Sequence, residues 1–127
     1  MSRSDKQLLN WLKIRSRMTD YTVDRARWAN MTIFDQMGNI SSEVGRSFNA
    51  RRQGQTENER LAMVRALDLF DATIDNLIAN KSVRAKEVLR SKDHYLSALL
   101  SPVYDEKAGA SIEKYFMQYA IAARLNK

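Results

Sequence analysis

Five apolar residues, Ile33, Met37, Ile40, Val44 and Phe48, recur at gaps of four, three, four and four within NMTIFDQMGNISSEVGRSFNARRQ, residues 30–53. That spacing is one face of an α-helix. About 100° around the same helix, Gly38, Ser42, Gly45 and Asn49 form a second line, of small residues, at gaps of four, three and four. A glycine inside a helix costs roughly 1 kcal/mol relative to alanine. Two glycines on one line therefore imply a close neighbour. The helix is expected to bury one side on the core and the other against another backbone, which makes Gly38, Ser42, Gly45 and Asn49 the expected oligomer interface.

The rest of the chain also reads as helix. One proline and four glycines in 127 residues leave few places to turn, and β-branched residues nowhere alternate as a strand requires. A chain of this length fits one domain, residues 1–127, with one real core. The absence of cysteine removes disulfides, thiolate nucleophiles, iron–sulfur clusters and cysteine zinc sites. No apolar run approaches the ~18 residues of a membrane span, and none at the N-terminus has signal-peptide form. A cytoplasmic protein without a membrane span is expected.

Taken in order, residues 4–18 read as a first helix. Ser4 and Gln7 have capping-box spacing, Leu8, Trp11 and Leu12 form an apolar face, and Lys6, Lys13 and Arg17 fall opposite. That helix would lie on an anionic surface or pack on the bundle with its lysines in water. A second helix would start at Thr19, Asp20 or Thr22 and run to Gln53, stopped by Gly54. Arg51 and Arg52 in its last turn suit the helix dipole or a phosphate contact. Thr56 and Glu59 form a capping box for a third helix, in which Met63, Leu67, Phe70, Ile74 and Leu77 repeat to about Ala79. A fourth helix is expected from Val83, capped by Ser82, to Leu100 before Pro102, with Ala85, Val88, Leu89, Leu96, Leu99 and Leu100 inward. Lys86, Arg90 and His94 share its outer side. Residues 101–111 read as a loop, with Ser111 capping a last helix, Ile112 to Leu125. Its tyrosines, Tyr115 and Tyr119, suit core packing with their hydroxyls at the edge, or a base-stacking platform. The expectation is an all-α, up-down four-helix bundle with an additional or extended N-terminal helix.

Charge points to function. The net charge is +6 and the pI about 9.8, which favours an acidic partner. The charge is also segregated. Residues 1–27 carry seven Lys or Arg against three Asp, residues 81–94 five against two acids, and residues 56–79 two against five. Lys6, Lys13, Arg17, Arg46, Arg51, Arg52, Lys86 and Arg90 are the candidate nucleic-acid contacts, directed to the phosphate backbone without sequence preference. Asp68, Asp71 and Asp75 line one flank of the third helix. Without Glu-x-x-His pairs they fit ion pairing better than a metal. No cofactor or metal is expected.

Catalytic patterns are missing: no phosphate-binding glycine loop, nucleophile elbow or zinc-ligand spacing occurs. Arg90 and His94, in RSKDH, stand one turn apart and would suit RNA cleavage, the arginine holding a phosphate and the histidine moving a proton. With three residues between them, they fall short of the spacing used by small helical ribonucleases of the HEPN class.

A basic, cysteine-free helical chain of this size resembles the S23-like four-helix-bundle proteins. Among these it is most similar to the accessory variability determinants (Avd) of diversity-generating retroelements. SSEVGRSFNARRQG, residues 41–54, and KYFMQYAIAAR, residues 114–124, are its most distinctive segments. The resemblance is one of architecture over most of the chain and carries no functional residue across. It implies a ring-forming bundle that binds template RNA and a reverse transcriptase without catalysing a reaction. The expected function is thus a non-catalytic, oligomeric RNA-binding bundle, an accessory to a polymerase. A protein-interaction adaptor and a ribonuclease using Arg90 and His94 are the alternatives.

Overall fold

Chain direction reverses at three short connections to give a helical bundle. The computed structural model describes residues 23–125. They form α1 (Arg25–Ala29), α2 (Ile33–Arg52), α3 (Thr56–Ala79), α4 (Ala85–Leu99) and α5 (Glu106–Leu125). Helices α2 to α5 each pack on the next, and α5 returns to α2; α1 lies on α3. The α2–α3 and α5–α2 seams are the closest, and α4 is held less tightly on both sides. No strand occurs among the described residues. The expected all-α bundle is what forms, with one short extra helix, α1, at residues 25–29. The helix expected over residues 4–18 and the starts expected at Thr19, Asp20 and Thr22 lie outside the described residues.

The long second helix expected to run unbroken to Gln53 is interrupted at residues 30–32. Asp24 caps α1 by accepting from the Arg27 N–H at 3.1 Å, and Thr32 caps α2 by accepting from the Asp35 N–H at 3.1 Å. The break turns Trp28 into the core, where its Nε1–H donates to Thr73 Oγ1 at 2.9 Å. Buried Gln36 donates to the Trp28 carbonyl at 2.8 Å and so satisfies the end of α1. Two side-chain caps and one indole outweigh the continuity that the sequence periodicity implied.

The bundle is closed by the same device at two corners. After α2, Gly54 adopts φ +70°, and the Gln55 N–H bonds the Ala50 carbonyl at 2.9 Å. After α3, Lys81 adopts φ +54°, and the Ser82 N–H bonds the Leu77 carbonyl at 2.9 Å. Both are Schellman turns. At the second, a lysine holds the left-handed position that glycine favours. Three starts also differ from expectation. Gln55, not Thr56, is the N-cap of α3; Glu59, expected to complete a capping box, is buried. Helix α4 begins at Ala85 because Ser82 Oγ instead accepts from the Arg84 N–H. Helix α5 begins at Glu106, well before Ser111, because Asp105 Oδ1 accepts from the Lys107 and Ala108 N–H groups.

At the centre each bundle helix contributes one ring: Phe48, Phe70, Tyr95 and Phe116, all fully buried. Tyr95 meets Phe48 edge-on at 5.7 Å and Phe70 at 5.9 Å, and Phe70 meets Phe116 edge-on at 5.7 Å. Ser47 Oγ donates to the Val44 carbonyl at 2.7 Å. Its one proton is therefore used, and the Tyr95 hydroxyl donates to Ser47 Oγ at 2.8 Å. Tyr95 and Ser91 fill inward positions, whereas Leu89, expected inside, is 47% exposed.

Burial pushes the Tyr95 hydroxyl pKa well above its ordinary value. The unfolded chain then ionises this group first, near pH ~10. The stabilisation linked to Tyr95 is complete below that pH and is lost as pH rises through the folded value. Tyr95→Phe should cost about 1 kcal/mol at neutral pH. The wild type should also lose stability faster than the variant above pH ~10, as measured by denaturant unfolding at a series of pH values.

Candidate nucleic-acid interface

Tyr95 points inward, and Lys86, Arg90 and His94 on the outer side and flank of α4 are all exposed. Neither Lys86 nor Arg90 forms an ion pair or hydrogen bond among the described residues. Their neighbour Lys92 differs, since it reaches Asp71 on α3 at 3.0 Å.

The other candidate cations have different fates. Lys6, Lys13 and Arg17 lie outside the described residues. Arg46 is exposed and bonds Glu43 at 2.6 Å, and Arg65 bonds the same carboxylate at 2.9 Å. Two cations on one acid leave this group with a net positive charge, on the α2–α3 side and so across the bundle from the α4–α5 side. Arg51 is spent on structure: its guanidinium donates to the Leu99 carbonyl and, at 2.9 Å, to the Ser101 carbonyl, and it lies over the Tyr104 ring. It thereby caps the end of α4. Arg52 bonds Glu113 at 2.6 Å and the Tyr104 hydroxyl at 3.2 Å. The hydrogen bond to Glu113 holds its pKa above the ordinary value. The eight candidates therefore do not share one face. Lys86 and Arg90 stand together, Arg46 lies across the bundle, and Arg51 and Arg52 tie helix ends together.

The acidic flank of α3 is committed within the chain. Asp75 pairs with Arg25 at 2.8 Å, Asp71 with Lys92, and Asp68 accepts from the Val23 N–H at 3.0 Å. The line of small residues divides. A Cβ on Gly38 would stand 3.5 Å from Ala120 Cα and 3.7 Å from the Ala123 methyl, so α5 of the same chain makes the close approach there. Ser42 and Asn49 are exposed, and nothing lies within 4 Å of a Cβ placed on Gly45. The backbone expected against this line is thus supplied internally at Gly38.

Between α4 and α5 runs a groove that sequence patterns did not reveal. Its first part, about 300 Å³, is lined by Glu87, Arg90, Ser91, His94, Ser111, Ile112, Tyr115 and Phe116. A second part, about 440 Å³, continues past Ser97, Ala98, Ser101, Asp105 and Ala108 and shares His94, Ser111 and Ile112. At the Glu87 end, Tyr119 and Tyr115 donate hydroxyls to Glu87 Oε1 at 2.8 and 2.9 Å. Those bonds, Tyr119 first, hold the Glu87 carboxyl below its usual range, and burial raises the pKa of both tyrosines. Sequence spacing did place the two hydroxyls at the edge of α5. Their acceptor, 28 and 32 residues earlier, left no local signal. Arg90 and His94 both border this groove, so the structure brings together two residues singled out in the sequence.

Arg51→Ala should destabilise the fold by about 2 kcal/mol, since two carbonyls at the end of α4 lose a charged donor. Chemical unfolding of the wild type and the variant checks this expectation. No protein-family model, curated protein or solved structure matches this chain.

Proposed function

We propose that this chain is a non-catalytic RNA-binding helical bundle that contacts the phosphate backbone through α4, as an accessory to a larger nucleic-acid enzyme such as a reverse transcriptase. One observation carries the reading: among the described residues Lys86 and Arg90 have no partner, while Arg46, Arg51, Arg52, Arg65 and Lys92 are engaged inside the chain. A cation that faces water without a carboxylate is available to neutralise phosphate and release counterions. The net charge of +6 attracts the same partner over a longer range. Backbone contacts of this kind position RNA without reading its sequence.

In this reading His94 takes no catalytic part. Glu87, the nearest acid in sequence on the groove wall, is held by Tyr115 and Tyr119. Self-association, which the small residues of α2 lead one to expect, would use Ser42, Gly45 and Asn49, since α5 already occupies Gly38.

Fluorescence anisotropy with a labelled RNA at increasing salt tests the reading. Affinity should fall steeply with salt. Lys86→Ala and Arg90→Ala should each weaken binding and flatten the slope of log affinity against log salt by about 1. The RNA should remain intact throughout. Absence of binding at low salt would remove this reading and favour an adaptor for an acidic protein. Cleavage abolished by His94→Ala would replace it with the ribonuclease.

A further inference from the structure

We propose that the α4–α5 groove seats one unpaired, amino-bearing base of single-stranded RNA, with Glu87 accepting from the base and Arg90 facing its phosphate. The proposal rests on the RNA-binding reading above and adds to it what the groove recognises.

Three features of the groove select this occupant. The first is its composition along the wall. Ile112 and Tyr115 give a partly exposed apolar surface, and a base has an apolar face that such a surface covers. The second is charge. Arg90 borders the groove and Lys86 precedes it by one turn, both without partners among the described residues. An occupant with a negative backbone and an uncharged flat body matches this arrangement; an acidic peptide offers no such body. The volume of about 300 Å³ stands at the small end of clefts that hold small ligands. A cleft of that size fits a single splayed base, which a duplex with its bases stacked and paired does not offer.

The third feature is the hydrogen-bonding edge. Glu87 is ionised and can only accept. Its Oε1 takes both tyrosine hydroxyls. The hydroxyl protons of Tyr115 and Tyr119 are thereby used, so their oxygens also offer only lone pairs. The edge is accordingly rich in acceptors. It suits the exocyclic amino group of cytosine or adenine and opposes the O4 acceptor of uracil. Cytosine and uracil differ little in size, so they separate this chemistry from fit.

The experiment compares oligo(C), oligo(U) and a duplex RNA of equal length with the wild type, Glu87→Gln and Arg90→Ala, by anisotropy at one salt concentration. The wild type should bind oligo(C) about tenfold more tightly than oligo(U), an advantage of about 1.4 kcal/mol, and bind the duplex more weakly than oligo(C). Glu87→Gln keeps an oxygen for the tyrosines and adds an amide donor, so it should erase the preference for oligo(C) without lowering affinity for oligo(U). Arg90→Ala should weaken both single strands alike. Equal, salt-dependent binding of all three RNAs would overturn the groove proposal and leave the phosphate-binding reading intact. A preference for oligo(C) that survives Glu87→Gln would also overturn it. Binding of none would overturn both.

Discussion

The contact between Tyr95 and the rings of Phe48 and Phe70 sets the rotation of α4. An α-helix turns about 100° per residue. With Tyr95 inward, Val88 and Ser91 fall within about 40° of the core direction, and both are buried. His94 then lies about 100° from that direction, Arg90 about 140° and Lys86 about 180°. The same count puts Leu89 about 120° away on the other flank, which accounts for its exposure. The candidate surface is a consequence of how the aromatic layer is packed. The hydroxyl of Tyr95 fixes this rotation more firmly than shape alone, because it must find Ser47 on α2 or remain unbonded in the core.

Charge is organised around the same layer. The acids of α3 meet cations from α1 and α4, Glu43 on α2 takes both Arg46 and Arg65, and Glu113 on α5 takes Arg52. Most of these pairs are partly exposed and contribute little stability each. Their effect is to set these cations against acids within the bundle. On α4, Lys86 and Arg90 take part in no such pair among the described residues. Arg51 is a different case, since it satisfies carbonyls at the end of α4 and holds that helix beside α2.

The fold was legible where periodicity and strong punctuation agreed. The apolar lines of α2 and α3 and the stop at Gly54 stand as the sequence implied. Boundaries failed where a tertiary contact overrode a local signal. No glycine or proline marks residues 30–32, and the break exists because Trp28 and Gln36 bond across it. Lys81 occupies a left-handed corner with no glycine to announce it. Asp105, read as part of a loop, caps α5. At the candidate site, Lys86 and Arg90 were visible as an outward pair. The fate of Arg51 and Arg52 was not, because their partners lie 48 to 61 residues away. Glu87 with its two tyrosines was hidden for the same reason.

The proposed RNA contact is the outer face of α4, whose rotation Tyr95 sets. Backbone amide NMR of labelled protein during titration with single-stranded RNA tests it most directly. Shifts should concentrate on residues 86–98 of α4 and the facing part of α5, with the α2–α3 side little changed. Shifts centred on Arg46 and Arg65, or none at saturating RNA, would contradict it.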